Sequence, residues 1–354
     1  MNLLTGFLKQ VFFLILTCCL LTTYVIASDS PAKNGHGTDE KFAAGEFIID
    51  HIKDSHEWHI LTKRNGEAVA VYLPVIVYSQ TSGLKVFMSK KIAHGHSYNG
   101  IAISEESGKI IEVNEAGEEI GVPLDFSITK TVAAMMLAAI TILFLFIRMG
   151  STYSQKKNIV PNGLNGFLEP MVVFIRDEIA IPNIGHHKYE KYMPYLLTAF
   201  FFILINNIMG LIPFFPFGAN VTGNIAVTMV LALFTFIITQ ISGTKDHWKH
   251  LFAIPGVPLW LSPIMIPVEI MGLFSKPIAL MIRLFANITA GHIIVLSLVS
   301  LIFIFKALWV SAVSIPMVLF IDILEILVAF LQAYVFTLLS ALFIGLAAKE
   351  HHHA

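Results

Sequence analysis

Ionisable and amide side chains recur inside the two most apolar runs of this sequence, between residues 262 and 348. Carboxylate and imidazole groups can exchange protons near physiological pH, whereas a guanidinium stays protonated at every pH that a cell reaches. The set therefore has the chemistry for proton transfer around one fixed positive charge. Its members are Glu269, Lys276, Arg283, Asn287, His292, Asp322, Glu325 and Gln332.

Arg283 is the member of this set that most strongly indicates a function, because it has no acidic residue within one helical turn. A charged side chain at mid-bilayer costs about 3 kcal/mol on insertion scales, so its counter-charge must come from another helix or another subunit. The other residues also have structural interpretations, which stay open. Lys276 can snorkel to the membrane surface with Glu269 as its counter-ion. His292 and Glu325 can form a buried structural pair.

One helical face collects the charges of the first apolar run. Glu269, Lys276 and Arg283 recur every seven residues, as does Ala290, so an α-helix places them on the same side. Asn287 follows Arg283 by one turn. A rise of about 1.5 Å per residue puts Glu269 roughly 21 Å from Arg283 along the axis. We expect this face to be turned away from the lipid tails.

The two apolar runs fit an antiparallel helix hairpin, in which facing residues have a nearly constant sum of indices. His292 with Glu325 gives 617, and Arg283 with Gln332 gives 615. Both pairs therefore fit one packing, whose turn falls near Leu308. This register predicts that the two pairs face each other at different depths of the membrane.

Composition sets the class of protein that must position these residues. Of the 354 residues, 56% are hydrophobic and 13% are charged, where a soluble domain has roughly 25%. The net charge is −1, and no basic block of the kind that neutralises phosphates occurs. The sequence predicts a polytopic membrane protein with no nucleic-acid partner.

The amino-terminal 125 residues differ from the rest. Residues 1–27 resemble a signal peptide, with an uncleaved anchor as the alternative. Both cysteines, Cys18 and Cys19, lie in it, so cleavage would leave a chain without thiol chemistry. Residues 28–125 are predicted to form an extracytoplasmic region that is partly β. Its histidines show no constellation with carboxylates or cysteines, and we expect no metal site: His51, His56, His59, His94 and His96.

Local patterns give the elements of the extracytoplasmic region. Residues 68–78 and 84–88 alternate as strands do, and residues 101–114 fit a hairpin. The apolar spacing of residues 46–61 instead predicts an amphipathic helix.

Hydropathy predicts five crossings within residues 126–348. The first covers residues 126–147, and the charge-free residues 192–244 hold two more around the turn-rich segment "PFFPFGANVTGN". The fourth ends near Phe305, and the last runs over residues 308–348. Residues 162–182 are too interrupted to cross and predict an amphipathic helix on the inner surface.

The distribution of Lys and Arg orients these crossings. The segments predicted to lie inside contain nine basic residues, and the short outer ends only Lys130 and Lys306. The amino-terminal region is thus expected outside and the tail, residues 349–354, in the cytoplasm. The predicted fold class is an all-α polytopic membrane protein with a long hairpin of its last two helices, plus the small β-containing region.

Two motifs resemble subunit a of the F-type ATP synthase membrane sector. They are "SKPIALMIRLFANITAGH" at 275–292 and "ILVAFLQAYVFTLLSALFIGLA" at 326–347, supported by "NNIMGLIP" at 206–213, "NVTGNIAVTMVLAL" at 220–233 and "FIRDEIAIPNIG" at 174–185. The resemblance covers roughly residues 126–348. The amino-terminal region is longer than in the commonest bacterial members.

The resemblance implies a role for each polar residue. Arg283 matches the arginine that faces the rotating ring of c subunits, and Asn287 and Gln332 match its polar neighbours. Glu269 matches the acid of the inner aqueous half-channel. His292 and Glu325 fall where some relatives have these two types exchanged, so the pair still offers one acid and one imidazole to the outer half-channel. Lys276 and Asp322 are secondary candidates.

The resemblance further implies an ion-translocating stator subunit in the bacterial inner membrane, with no cofactor and no catalytic site of its own. Its partners would be the c ring, the b-subunit peripheral stalk and the rest of the ATP synthase, and its ion the proton. The sequence leaves open sodium instead of protons, the ring size, the preferred direction and the role of residues 28–125. A secondary ion antiporter is the main alternative, although such folds show internal repeats; a membrane metalloenzyme is a weaker one.

Overall fold

The structure is a computed structural model that describes the chain with several gaps. The described residues are 45, 54–62, 68–79, 83–93, 96–104, 108–114, 119–155, 162–212, 215–252 and 262–349. The predicted signal peptide at 1–27, residues 46–53 of the predicted helix, His51, His94 and the tail beyond residue 349 lie outside them.

Three small antiparallel sheets form the described part of the amino-terminal region. The first pairs β1 with β2, the second has the order β4–β3–β8, and the third has the order β5–β6–β7. The strands are β1 (Glu57–Thr62), β2 (Ala68–Tyr72), β3 (Pro74–Ser79), β4 (Gly83–Met88), β5 (Ile101–Ile103), β6 (Ile110–Val113), β7 (Glu119–Gly121) and β8 (Leu124–Asp125). The predicted strands and the predicted hairpin are confirmed, with a break at Leu73 between β2 and β3.

The predicted helix at 46–61 is wrong over its last part, because Glu57–Thr62 is strand β1. Glu57 pairs with Tyr72 and Thr62 with Ala68 of β2. This pairing satisfies backbone groups that the local apolar spacing takes no account of, and Trp58 is buried at 6% exposure. Tertiary pairing therefore overrides a helical pattern here.

The β region is joined to the first long helix without a flexible linker. Backbone amides of Phe126 and Ile128 donate to β3, so the chain extends the sheet until Thr129. The amide of Lys130 then donates to Ser55 O at 2.9 Å, and that of Thr131 donates to Asp54 Oδ1 at 3.0 Å. These acceptors satisfy first-turn amides that a helix cannot pair internally.

A second attachment joins β1 to a connector between two long helices. The Trp58 indole Nε1 donates to Phe217 O at 2.9 Å. The same ring packs edge-on against Phe215, with centroids 5.5 Å apart. The β region is thus fixed at two separate places to the helical part of the chain.

Among the described residues, five helices are long and apolar enough to cross a membrane. They are α1 (Lys130–Gln155), α4 (Tyr189–Leu211), α5 (Ile225–Ser242), α7 (Ser262–Phe305) and α8 (Leu308–Ala348), and shorter helices are α2 (Leu164–Phe174), α3 (Ile181–Ile184) and α6 (Lys245–Phe252). The predicted fold class and the number of crossings are confirmed. The first crossing begins at Lys130 rather than 126, because the amides of Phe126 and Ile128 still donate to β3 and the helix starts only after them.

The interrupted segment between α1 and α4 is helical, as predicted. It comprises α2, a π-helical turn at Ile175–Ala180 and α3. Arg176 and Asp177 form an exposed ion pair on the π-helical turn, at 2.7 Å between Nε and Oδ1. The hydrogen bond from the Arg176 guanidinium lowers the pKa of the Asp177 carboxyl.

The chain divides into two compact units. One contains the β region up to Met136, the connector Met209–Val221 and the stretch His292–Ile323, with a small apolar cluster of Val295, Val299 and Val318. The other contains Leu137–Ile208, Thr222–Gly291 and the rest of α8. Its core is a continuous apolar cluster that includes Ile175, Leu196, Phe200, Leu284 and Phe336.

The carboxyl end of α8 is tied down inside the second unit. Lys188 Nζ donates to Ala348 O at 2.9 Å, and the amide of Thr244 donates to Ala347 O at 3.0 Å. At Gly345 the backbone of α3 comes so close that a Cβ would overlap Asn183 O and lie 2.8 Å from its carbonyl carbon. Only a glycine permits this approach.

Candidate functional site

Packing of α7 decides the direction of Arg283. Leu280, Leu284 and Ile288 recur at helical spacing and are buried at 2%, 1% and 7% exposure. Leu280 and Leu284 belong to the core of the second unit. Arg283 lies off this stripe and is exposed. The apolar stripe therefore turns the guanidinium away from the core of its own subunit.

The surface around Arg283 is made of small residues. Ala279, Ala286 and Ala290 are exposed on α7, together with Asn287. Within the described part of the chain, the guanidinium has no hydrogen bond and no acidic group within ion-pair distance. Small side chains let another helix approach closely, so this face can accept a partner that brings its own acid.

The charged face continues from Arg283 toward the amino-terminal end of α7. Glu269 and Lys276 are both exposed, as the seven-residue spacing predicts. Lys276 Nζ lies 5.7 Å from the centroid of the Phe343 ring of α8, within cation–π range. The ring face thus lies beside Lys276, and no carboxylate of the described residues forms an ion pair with it.

Gln332 occupies a different environment from Arg283. It is buried at 2% exposure, between Ala329 and Ala333, which are fully buried. No hydrogen bond joins its amide to Arg283 among the described residues. One turn away, Asn207 Nδ2 donates to Ala329 O at 3.3 Å while its Oδ1 accepts from Thr222 at 2.6 Å. A polar network inside the second unit thus supports this part of α8.

Gly291 of α7 and Glu325 of α8 are in direct contact. A Cβ built on Gly291 would overlap Glu325 Oε1 and lie 2.9 Å from Cδ and 3.1 Å from Cγ. The two indices add to 616, between the two sums predicted for this helix pair. The contact supports the predicted antiparallel register, and Glu325 is half-buried there.

The remaining predicted residues lie in α7 and α8. His292 follows Gly291 directly and is half-buried, as is Asp322 one turn before Glu325. Asn287 is exposed one turn after Arg283. All eight predicted residues therefore fall on the two longest helices, six of them in the second unit.

A small cavity of about 40 Å³ with a mostly apolar lining lies in the second unit near the carboxyl ends of α5 and α8. Its lining includes Thr239, Gln240, His247 and Lys276. Both Gln240 amide atoms are buried and make no hydrogen bond with described residues. A cavity of this volume has room for two or three water molecules, for which the Gln240 amide offers a hydrogen-bonding partner. It adjoins the charged face at Lys276.

Three residues of this arrangement are absent from the sequence prediction. Gly291 and Gly345 carry a signal that could have found them, since a glycine inside a helix costs about 1 kcal/mol relative to alanine and asks for a packing reason. Gln240 carries no comparable signal, because an amide near a helix end is usually solvated.

These features define a multi-pass membrane protein in which the longest described helix presents a cation that has no partner among the described residues. Sequence comparison then gives the family: the ATP synthase A chain family matches residues 132–345, more than half of the chain. A second family, described only as a domain of unknown function, matches residues 47–126.

Several relatives carry the printed name ATP synthase subunit a. The protein of Anaeromyxobacter sp. (strain Fw109-5) is 39% identical over 339 residues, 92% of this chain and 76% of the relative. That of Chloroherpeton thalassium is 49% identical over 235 residues, 65% of this chain and 69% of the relative. That of Myxococcus xanthus is 49% identical over 252 residues, 68% of this chain and 81% of the relative. The chain therefore belongs to the subunit a family of the F-type ATP synthase.

Proposed function

We propose that this chain is the ion-translocating stator subunit of its ATP synthase, with Arg283 facing a ring of c subunits. The observation that supports this most directly is the Arg283 guanidinium. It lies on a membrane-crossing helix, is exposed among small residues, and has no acidic partner among the described residues. Its charge is therefore available to a carboxylate of another subunit.

The chemistry of Arg283 follows from electrostatics. A ring carboxylate crosses lipid only when it is neutral. Near a permanent cation the ionised form is favoured, so the pKa of that carboxylate falls and it releases its proton. Each elementary charge moved through 100 mV supplies about 2.3 kcal/mol, and rotation of the ring passes this energy to the subunits that make ATP. Arg283 itself need not change its protonation state.

The other polar residues form two separate routes in this proposal. Glu269 serves the inner half-channel, and the cavity lined by Gln240 and Lys276 lies between Glu269 and Arg283 along α7. His292 and Glu325 serve the outer half-channel, where one acid and one imidazole exchange protons. Asn287 and Gln332, with Lys276 and Asp322 in secondary roles, tune the polarity around the arginine.

Membrane placement completes the proposal. Residues 28–125 lie on the periplasmic side after removal of residues 1–27, residues 126–348 form the membrane domain, and residues 349–354 are cytoplasmic. The membrane is the bacterial inner membrane. The subunit contacts the c ring and the b-subunit peripheral stalk and transports protons, with sodium as the alternative ion.

Replacing Arg283 by alanine tests the central role. Arg283→Ala should abolish ATP-driven pumping and ATP synthesis in inverted membrane vesicles while leaving assembly intact, because its side chain does not pack in the core. Arg283→Lys should restore little, since a compact ammonium lacks the guanidinium fork. Arg176→Ala is the matched control, as its exposed side chain lies outside the crossings. Wild-type synthesis in Arg283→Ala vesicles would contradict the proposal.

Labelling of single cysteines tests the orientation. Ile120 lies in β7 of the amino-terminal region and Lys349 directly follows α8, and both are exposed. Each can be replaced by cysteine in a chain with Cys18 and Cys19 changed to serine. An impermeant thiol reagent applied to spheroplasts should label position 120 and not position 349. The reverse pattern would refute this topology. Co-purification of a c ring with the same tagged chain separates the stator from an antiporter.

A further inference from the structure

The sheet β4–β3–β8 has two faces of very different character. Val75, Val77 and Phe87 point to one side and are buried at 0%, 0% and 8% exposure, in a cluster with Ile92 and Ile101. The side chains between them point to the other side, because strand residues alternate. Within the described ranges no layer packs on that second side, and we call it the apolar sheet face.

The apolar sheet face consists of three rows across the strands. The register gives Leu84–Tyr78–Leu124 and then Val86–Ile76–Phe126, and the third row is Met88–Pro74–Ile128. None of the nine residues is charged. Six of them are large and 47–65% exposed: Leu84, Val86, Met88, Tyr78, Leu124 and Phe126. Contiguous exposed apolar surface of this kind marks an interaction site.

The charged residues of these strands belong to the opposite side. Asp125 lies between Leu124 and Phe126 in the chain, so its side chain points away from the apolar sheet face. Its Oδ2 lies 3.5 Å from His56 Nε2. Lys85 Nζ donates to Asn99 O at 2.5 Å. The charged side chains of these strands therefore all point away from the apolar sheet face. An apolar partner can bind this face without burying a charge.

Chain direction places one end of this face at the membrane. Residues 124–128 run along β3 and lead directly into α1, which begins at Lys130 and crosses. A strand rises about 3.4 Å per residue, so Phe126 lies at most about 14 Å from Lys130. The headgroup layer of one leaflet is roughly 5–8 Å thick. If the sheet lies with this face toward the bilayer, all three rows contact the headgroup layer.

Two basic residues directly follow strand β4 at this same end of the sheet. β4 and β8 are both antiparallel to β3 and so run in one direction. Lys90 and Lys91 follow Met88 in a short 3₁₀ turn and both are exposed, with Lys91 Nζ donating one hydrogen bond to the Tyr98 hydroxyl at 2.9 Å. They therefore stand at the end where the chain enters α1. Apolar side chains next to lysines at a membrane surface are the pattern of interfacial lipid binding.

We propose that the apolar sheet face lies on the bilayer leaflet that the amino-terminal end of α1 reaches, with Lys90 and Lys91 on anionic phospholipid headgroups. The two attachments of the β region, at Lys130 and at Phe217, hold it close enough to the surface for this contact. The proposal concerns residues outside the ion path and does not depend on the proposed function.

Nitroxide labels on single cysteines test the proposal in the assembled ATP synthase. Val86→Cys and Leu124→Cys place labels on the face, and Ser97→Cys places one on an exposed loop outside it. The chain has Cys18 and Cys19 replaced by serine, and the complex is reconstituted in nanodiscs containing phosphatidylglycerol. We expect labels 86 and 124 to collide with oxygen and to lose collisions with a water-soluble nickel chelate, whereas label 97 meets the chelate freely.

Two other results would overturn the proposal. Free access of the nickel chelate to labels 86 and 124 would mean that the face is in water. Immobilised labels that meet neither reagent would mean that another subunit covers the face. The lysines are tested in the Val86→Cys chain by changing Lys90 and Lys91 to glutamine. Nickel access should then rise with phosphatidylglycerol and stay unchanged with phosphatidylcholine; an equal response in both lipids would overturn the role of the lysines.

Discussion

Replacing Gly291 by alanine places one methyl group against the Glu325 carboxyl. Ordinary van der Waals contact begins at 3.4 Å, and Glu325 Cδ lies 2.9 Å from the position of the new Cβ. The carboxyl carbon must therefore retreat by at least 0.5 Å. The obstacle is the end of a flexible side chain, so the helices can keep their packing. Since alanine favours a helix over glycine, assembly should not suffer.

The rate of proton transfer through Glu325 should fall instead. A misplacement of about 1 Å can reduce a rate roughly 100-fold, so we expect Gly291→Ala to lower proton-driven ATP synthesis by roughly tenfold. The measurement is synthesis in inverted vesicles, normalised to the amount of assembled complex. Gly272→Ala is the matched control, because it lies in the same helix and a Cβ there meets nothing within 4 Å. It should keep the wild-type rate.

The reasoning also requires that the two positions are coupled. In a Glu325→Ala chain the methyl group has nothing to displace, so adding Gly291→Ala should cause no further loss. A wild-type rate in the single Gly291→Ala variant would refute the proposed role of the Glu325 carboxyl. A loss that is fully explained by poor assembly would refute the steric argument.

Two further predictions concern the same helices. His292→Glu and Glu325→His should each slow synthesis, because two like groups disfavour full ionisation, and the double exchange should recover a good part of the activity; losses that simply add would show that the residues are uncoupled. Gly345→Ala should destabilise the subunit by roughly 1–3 kcal/mol, because the obstacle is the Asn183 backbone, which cannot rotate away. Thermal melting of the purified complex measures this against Gly150→Ala, whose Cβ would meet nothing within 4 Å, and equal midpoints would contradict it.

The helical part of the fold was largely predictable, because a membrane crossing is fixed by length and apolarity alone. The end of the last hairpin turn was predicted near Leu308, and α7 and α8 are separated by Lys306 and Ala307. The contact between Gly291 and Glu325 agrees with a register obtained from two index sums. Local sequence is sufficient here because each crossing satisfies its own backbone hydrogen bonds.

Strand β1 shows where local reasoning fails. Its apolar spacing fits a helix, but its backbone pairs with β2 and its Trp58 ring packs on Phe215, which is distant in the chain. Such contacts leave no periodic trace. The cavity at Gln240 is similar, since it exists only where the ends of several helices meet.

The roles assigned to the site residues remain predictions for a physical reason. Arg283 is exposed, so the group that completes its electrostatics must belong to another chain. No property of a single subunit can show which carboxylate that is. What the structure adds is the direction of the side chain, which the buried Leu280 and Leu284 decide.

The hydrogen bonds between the β region and the first turn of α1 at Lys130 have a consequence for the evolution of such subunits. Asp54 and Ser55 accept hydrogen bonds from the first amides of α1, and Trp58 holds the connector at Phe217. A relative without the β region leaves these amides to water and loses the cap, at a cost of about 1 kcal/mol in helix stability. Gain or loss of this region during evolution therefore changes the stability of the first turn of α1 as well. Chimeric subunits should be cut before Asp54 rather than at the boundary with α1.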